Sequence, residues 1–81
     1  MKAILHWDDF NRDKVAAHGV TVVEVEEVVA DPLSMPGVSR SSGRPLLRGY
    51  TRAGRHLVVV YDELDDDPPR LYPVTAFGPG E

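Results

Sequence analysis

Five arginines, Arg40, Arg44, Arg48, Arg52 and Arg55, fall within residues 40–56 with no acid among them. Guanidinium is a planar, permanently charged fork that grips phosphate oxygens in pairs, so this stretch can hold phosphates. His18 adds the side chain that changes charge near neutral pH, with an unperturbed pKa of about 6.5, and is the natural general acid or base. Lys14 lies four residues earlier on the same helical face and offers a further phosphate contact. The rings of Tyr50 and Tyr61 are of the kind that stacks on nucleobases. Each residue also has a plainer use. Hairpin arginines guard strand edges or pair with acids, a histidine at a helix end complements the dipole, and tyrosines pack across strands. Trp7 and Asn11 read as structural, the first packing a helix onto a sheet and the second capping or bridging. His6, His18 and His56 fit no metal-ligand spacing, and no Gly-rich phosphate loop, G-x-S-x-G or paired-carboxylate motif occurs. Neither a metal nor another cofactor is expected.

Two helices and a β-rich remainder must position these groups. Lys2 to Trp7 reads as a short strand. Asp8 and Asp9 offer an N-cap and favourable first-turn charge for a helix to about His18, and Gly19 suits the left-handed residue that stops it. Phe10 and Ala17 share a face of this helix, with Val15 off it. Thr21 and Glu24 form a T-x-x-E capping box, with Val20 and Val25 spaced as a hydrophobic staple. Val22, Val25 and Val29 then line one face, and Asp31-Pro32 ends the element. Residues 33–40 read as an irregular strand weakened by Pro36 and Gly37. Pro45–Arg52 and Arg55–Asp62 read as a hairpin around a tight Ala53-Gly54 turn. With Arg52 opposite Arg55, Tyr50 faces Leu57 and Arg48 faces Val59. Arg48, Tyr50, Arg52 and Arg55 then share one face, an arrangement that a one-residue slip would scatter. An acidic loop over 62–69 leads to a last strand around Arg70–Ala76, and Phe77 onward is a loose end. The expectation is an α+β layer, two N-terminal helices on a mainly antiparallel sheet of four or five strands.

Composition bounds the answer. Eighty-one residues make one small domain, 42% of them hydrophobic and 27% charged, which is a globular balance. The chain has no cysteine, which excludes disulfides, zinc ribbons and thiol catalysis. Its longest apolar run, Leu57–Tyr61, is too short to span a bilayer and no secretory signal is visible, so a cytoplasmic protein without a membrane role is expected. The net charge of -4 hides an asymmetry, since outside residues 40–56 the chain is strongly acidic, above all over Asp62–Asp67. A domain this small buries only about 60–65% of its unfolded surface, which favours a partner or self-association as a homodimer.

The block Trp7-Asp8-Asp9-Phe10-Asn11, then Lys14, then His18-Gly19-Val20, resembles the W-D-x-x-N-x-x-K/H-x-x-x-H-G-V signature of BrnT-type proteins, small RelE-like toxins of bacterial toxin–antitoxin pairs. The similarity continues through Glu24–Val28 and Asp31-Pro32. It resumes with Gly43-Arg44, the Arg48-Gly49-x-Thr51-x-x-Gly54-Arg55 hairpin and Val58–Tyr61, covering roughly residues 4–76. The resemblance implies a RelE-like α+β fold, metal-independent cleavage of messenger RNA, and neutralisation by a small antitoxin of the ribbon-helix-helix type. For such cleavage the residues' own chemistry makes His18, Arg48 and Arg55 the catalytic candidates and Lys14, Arg44, Arg52 and Tyr50 the RNA contacts, with the antitoxin expected over the sheet face that bears the arginines. Two departures stand out. Phe77 follows Thr75-Ala76 where the family carries Arg, and the chain stops at Glu81, short of the family's basic C-terminal helix. They frame the alternative, a non-catalytic relative that keeps the fold for binding or regulation. The missing helix should leave one sheet face underpacked.

Overall fold

The computed structural model describes residues 2–80. Among these, the elements run β1 (Ile4–Leu5), α1 (Asp9–Ala17), α2 (Val22–Ala30), β2 (Met35–Val38), β3 (Pro45–Tyr50), β4 (His56–Asp66) and β5 (Pro69–Phe77). The strands form one sheet in the order β1-β5-β4-β3-β2. Only β1 runs parallel to its neighbour; the other pairings are antiparallel. The chain is thus an α+β layer of two helices on one face of a five-stranded mixed sheet.

Local chemistry sets both helices. Asp8 caps α1: its side chain accepts from the Asn11 backbone at 2.9 Å while the Asn11 side chain accepts from the Asp8 backbone at 2.8 Å. Gly19, with φ of 70°, turns the chain out of α1. Thr21 and Glu24 form the reciprocal box that opens α2. The inward stripe of α1 is Asn11 and Val15, whereas Phe10 is 68% exposed, which corrects the expected Phe10–Ala17 face. The Asn11 amide explains the rotation. It donates to the backbone carbonyls of His6 and Pro73, and these fix which side of α1 meets the sheet. In α2 the buried positions are Val25, Val28 and Val29, with Val22 only half-buried.

The main core lies between helices and sheet. Val15, Val20, Val25, Val28 and Val29 meet Leu47, Leu57, Val59, Tyr61, Leu71 and Ala76, and Trp7 packs at its border. On the opposite sheet face Leu46, Val58 and Val60 are nearly buried, with Phe77 against them. That double burial is why Leu57–Tyr61 is continuously apolar rather than alternating. It also means the centre of the helix-free face covers itself, where a bare face was expected.

Three strand readings need correction. The first strand is Ile4–Leu5 alone, because only these residues pair with β5. The acidic segment is not a loop. β4 runs to Asp66, with Asp62 opposite Tyr72, Glu63 opposite Leu71 and Asp65 opposite Arg70. The long β5 partner supplies the ladder that the acidic composition conceals. In the β3–β4 hairpin, Tyr50 faces His56, Gly49 faces Leu57 and Arg48 faces Val58, one residue off the expected register. Its loop has three residues, not two: Thr51 N donates to Arg55 O at 2.9 Å, enclosing Arg52-Ala53-Gly54, with Gly54 at φ of 87°. Three-residue hairpin loops commonly close on such a left-handed residue.

The edge strand β2 is short and defended. Ser39 N bonds inward to Arg44 O, and with Gly37 opposite Leu46 the alternation places Pro36 on the open side. The missing N–H of proline falls where another strand would seek a donor.

Candidate functional site

The hairpin register decides which side chains meet. Along β4, Leu57, Val59 and Tyr61 face the helices while His56, Val58, Val60 and Asp62 face away. Across the ladder, Arg44, Leu46, Arg48 and Tyr50 share the helix-free face with His56. Arg55, alternating with His56, points to the helix side instead. The expected common face of Arg48, Tyr50, Arg52 and Arg55 therefore divides.

Three of the arginines are committed to acids. The Arg55 guanidinium donates to Gly19 O at 2.8 Å and to Glu24 at 3.3 Å, joining the hairpin to the α1–α2 corner. Arg52 lies 3.9 Å from Glu27, whose carboxylate also accepts from the Arg52 backbone at 3.2 Å. Arg44 pairs with Asp62 at 2.9 Å across the start of the hairpin ladder. Arg48 differs: its exposed side chain makes no hydrogen bond or ion pair among the described residues. The Lys14 side chain is likewise exposed on α1 with no such contact.

The rings sort in the same way. Tyr50 and His56, both exposed, stack at 4.8 Å with planes 19° apart. Tyr61 is buried in the main core, and burial raises its hydroxyl pKa, so it is not a surface stacking ring. His18 caps α1 and its ring lies 6.0 Å from Phe77, over a hollow lined by Ala17, Phe77 and Gly78. No arginine lines that hollow.

Two hollows flank Arg48 and His56 on the helix-free face. One, of about 380 Å³, is bordered by Arg40, Arg48, His56, Val58 and Phe77. The other, of about 340 Å³, lies toward β2 and is bordered by Leu33, Met35, Arg48, Tyr50 and His56. Among the described residues, neither has a carboxylate in its lining. Cations, an imidazole and a ring pair thus meet on one open surface, the combination that suits a phosphate joined to a planar base. A larger hollow of about 460 Å³ between β1 and α2 is mainly aliphatic, with Lys2 and Glu26 its only ionisable side chains among the described residues. No group of three His, Cys, Asp or Glu side chains able to hold a metal occurs among the described residues.

The sequence weighs His56 only as a metal ligand and counts Arg40 only within the arginine stretch, and singles out neither as a site residue. The signal for His56 was available in Gly54: a left-handed glycine closing a three-residue loop puts His56, not Leu57, opposite Tyr50. Arg40 joins only through the fold, because residues 39–40 curl beside β3.

Carboxylate ionisation bears on the scaffold beneath this site. The Thr21 backbone N–H, followed by the Arg55 guanidinium, holds the Glu24 carboxyl below its ordinary 4.5. The Asn11 backbone N–H, with the Tyr72 hydroxyl at 3.0 Å, lowers Asp8 from 3.8. Groups depressed in the folded state stabilise it above their unfolded pKa and lose that contribution as pH falls through the folded value. The contribution of these two carboxylates should therefore be full above about pH 5 and be lost as pH falls below about 4.5, and Glu24→Gln should flatten part of that fall in urea titrations across pH 3–6. An unchanged acid limb in Glu24→Gln would remove Glu24 from this account.

Comparison of the chain with models of protein families, with curated proteins and with solved structures finds no match. No helix of the described residues is long and apolar enough to cross a membrane.

Proposed function

We propose that the chain is a BrnT-like toxin component that engages and cleaves RNA, without a metal, at the helix-free face of its sheet, and that a small antitoxin restrains it there. The observation that carries this reading is Arg48 standing without an acidic partner beside the exposed Tyr50–His56 ring pair. A ribonuclease of this kind needs a cation for the scissile phosphate and a proton-transferring group near the 2′-hydroxyl. Arg48 and His56 are residues of those two types in one hollow. Stacked rings favour unpaired bases, because every base has a π-face and only an unpaired one exposes it.

A second reading, a non-catalytic binding relative, draws on other residues. Glu24, Glu27 and Asp62 engage Arg55, Arg52 and Arg44, and Phe77 stands where the resembled family carries arginine. One measurement separates the two: the purified chain incubated with a labelled single-stranded RNA in excess chelator, with binding and cleavage followed in parallel. Cleavage supports the toxin reading, and Arg48→Ala should then lower both affinity and rate by at least tenfold, since a charge-assisted phosphate contact is worth about 1.5–3 kcal/mol. Binding without cleavage supports the second reading. An RNA that is neither bound nor cut overturns the first.

A further inference from the structure

Resting on the cleavage reading above, we infer that His56, rather than His18, is the catalytic residue that takes the proton from the attacking 2′-hydroxyl.

The placement of the two imidazoles decides between them. His56 opens β4 directly across from Tyr50 and lies on the same sheet face as Arg48. It borders both hollows that Arg48 borders. A phosphate held by that guanidinium would therefore lie in the hollow that His56 lines. His18 sits over a separate hollow, against Phe77, with no guanidinium in its lining. Phe77 borders the His18 hollow and the larger Arg48 hollow alike, so it stands between the two imidazoles.

The surroundings also limit which groups can act. Among the described residues, the charged and titratable groups lining these two hollows with His56 are Arg40, Arg48 and Tyr50, with no carboxylate. Arginine stays protonated and a phenol gives up its proton only near pH 10, so the imidazole is the one group there suited to accept a proton near neutrality. The 19° stack on Tyr50 limits the tilt of the ring and covers one of its faces, leaving its nitrogen-bearing edge to be addressed from solvent.

The step balances with no co-reactant beyond water. The 2′-oxygen forms a bond to the adjacent phosphorus as the P–O5′ bond breaks. His56 accepts the 2′ proton, and the 5′ leaving oxygen takes one from water. The products are a 2′,3′-cyclic phosphate and a 5′-hydroxyl, and the imidazolium then returns its proton to solvent. Arg48 holds the non-bridging oxygens throughout.

The test compares wild type, His56→Gln, His56→Ala and His18→Gln on a short single-stranded RNA, with affinity measured on the same RNA carrying a 2′-deoxy residue at the cut position. His56→Gln should slow cleavage by roughly 10²–10⁴-fold, the range for losing a positioned acid–base group. Affinity for the deoxy analogue should fall by no more than about tenfold, far less than the rate, because Arg48 and the Tyr50 ring still hold the RNA when the His56 ring is lost. The wild-type rate should rise with pH as the proton-accepting group loses its own proton, and that limb should vanish in His56→Gln. Wild-type cleavage that survives His56→Gln, or that His18→Gln abolishes instead, overturns this assignment and leaves the cleavage reading standing. Wild-type protein that leaves the RNA intact overturns both.

Discussion

Replacing Asn11 with alanine should destabilise the fold by about 3 kcal/mol, seen as a melting temperature lower by roughly 12–24 °C in a domain of this size. Asn11 is fully buried, and each polar atom of its side chain is used. The Oδ1 atom accepts from the Asp8 backbone at 2.8 Å. Nδ2 donates to His6 O at 2.9 Å and to Pro73 O at 3.0 Å. One amide thus ties the exit of β1, the first turn of α1 and the middle of β5, although Pro73 is 62 residues away in the chain. Truncation leaves up to three backbone groups without this partner, each costing about 1–3 kcal/mol if it stays dry. Global stability for 81 residues is expected at only about 4–12 kcal/mol, so the variant would sit near the threshold of folding. Asn11→Asp should do no better, since it keeps the acceptor but presents a carboxylate to two carbonyl oxygens. Urea titration followed by far-ultraviolet circular dichroism checks both, and a loss below 1 kcal/mol for Asn11→Ala would mean water enters and takes over the bonds.

The same residue marks how far the sequence could be read. Asn11 three residues after Asp8 is a local pattern, and so are Thr21 with Glu24 and Gly19 after the first helix. Each works within one turn of chain, so each was legible, and with them both helices and the α+β class. The second role of Asn11, bonding across to Pro73, depends on where β5 passes and has no local trace; the outward turn of Phe10 follows from it. Asp62–Asp66 shows the same limit from the other side, because a solvated acidic run becomes strand only when a long partner is present. The site was blurred by a single residue of register. Counting Ala53-Gly54 as a two-residue turn sets Arg52 against Arg55 and groups four cationic or aromatic side chains. The actual loop of three sends Arg55 to Glu24 and brings His56 to Tyr50. Period-two geometry amplifies that small error into an exchange of faces.

Gly49→Val should cost as much as the loss of Asn11, for a steric reason that can be isolated. Gly49 is buried in β3 opposite Leu57, on the side that meets α2. A Cβ at this position would stand against the Ser34 hydroxyl and 3.2 Å from Cγ1 of Val28. The Ser34 hydroxyl cannot simply swing away, because it donates to Val28 O at 2.6 Å near the end of α2. Overpacking of this kind costs about 1–3 kcal/mol, so Gly49→Ala should fall in that range and valine, with two more methyl groups, at or beyond its top. Gly49 has no positive φ, so backbone strain adds nothing to the comparison. The discriminating measurement is a double-mutant cycle. Ser34→Gly removes the obstructing side chain and should cost about 1 kcal/mol alone through the lost hydrogen bond. Combined with Gly49→Ala, the total should be at least about 1 kcal/mol smaller than the sum of the single changes. Strict additivity would show that α2 already yields at this point and that the close approach is not what glycine is there for. The clash lies on the helix side, while Gly49 itself borders the hollow shared by Arg48, Tyr50 and His56, so the cycle is read in stability and not in RNA binding.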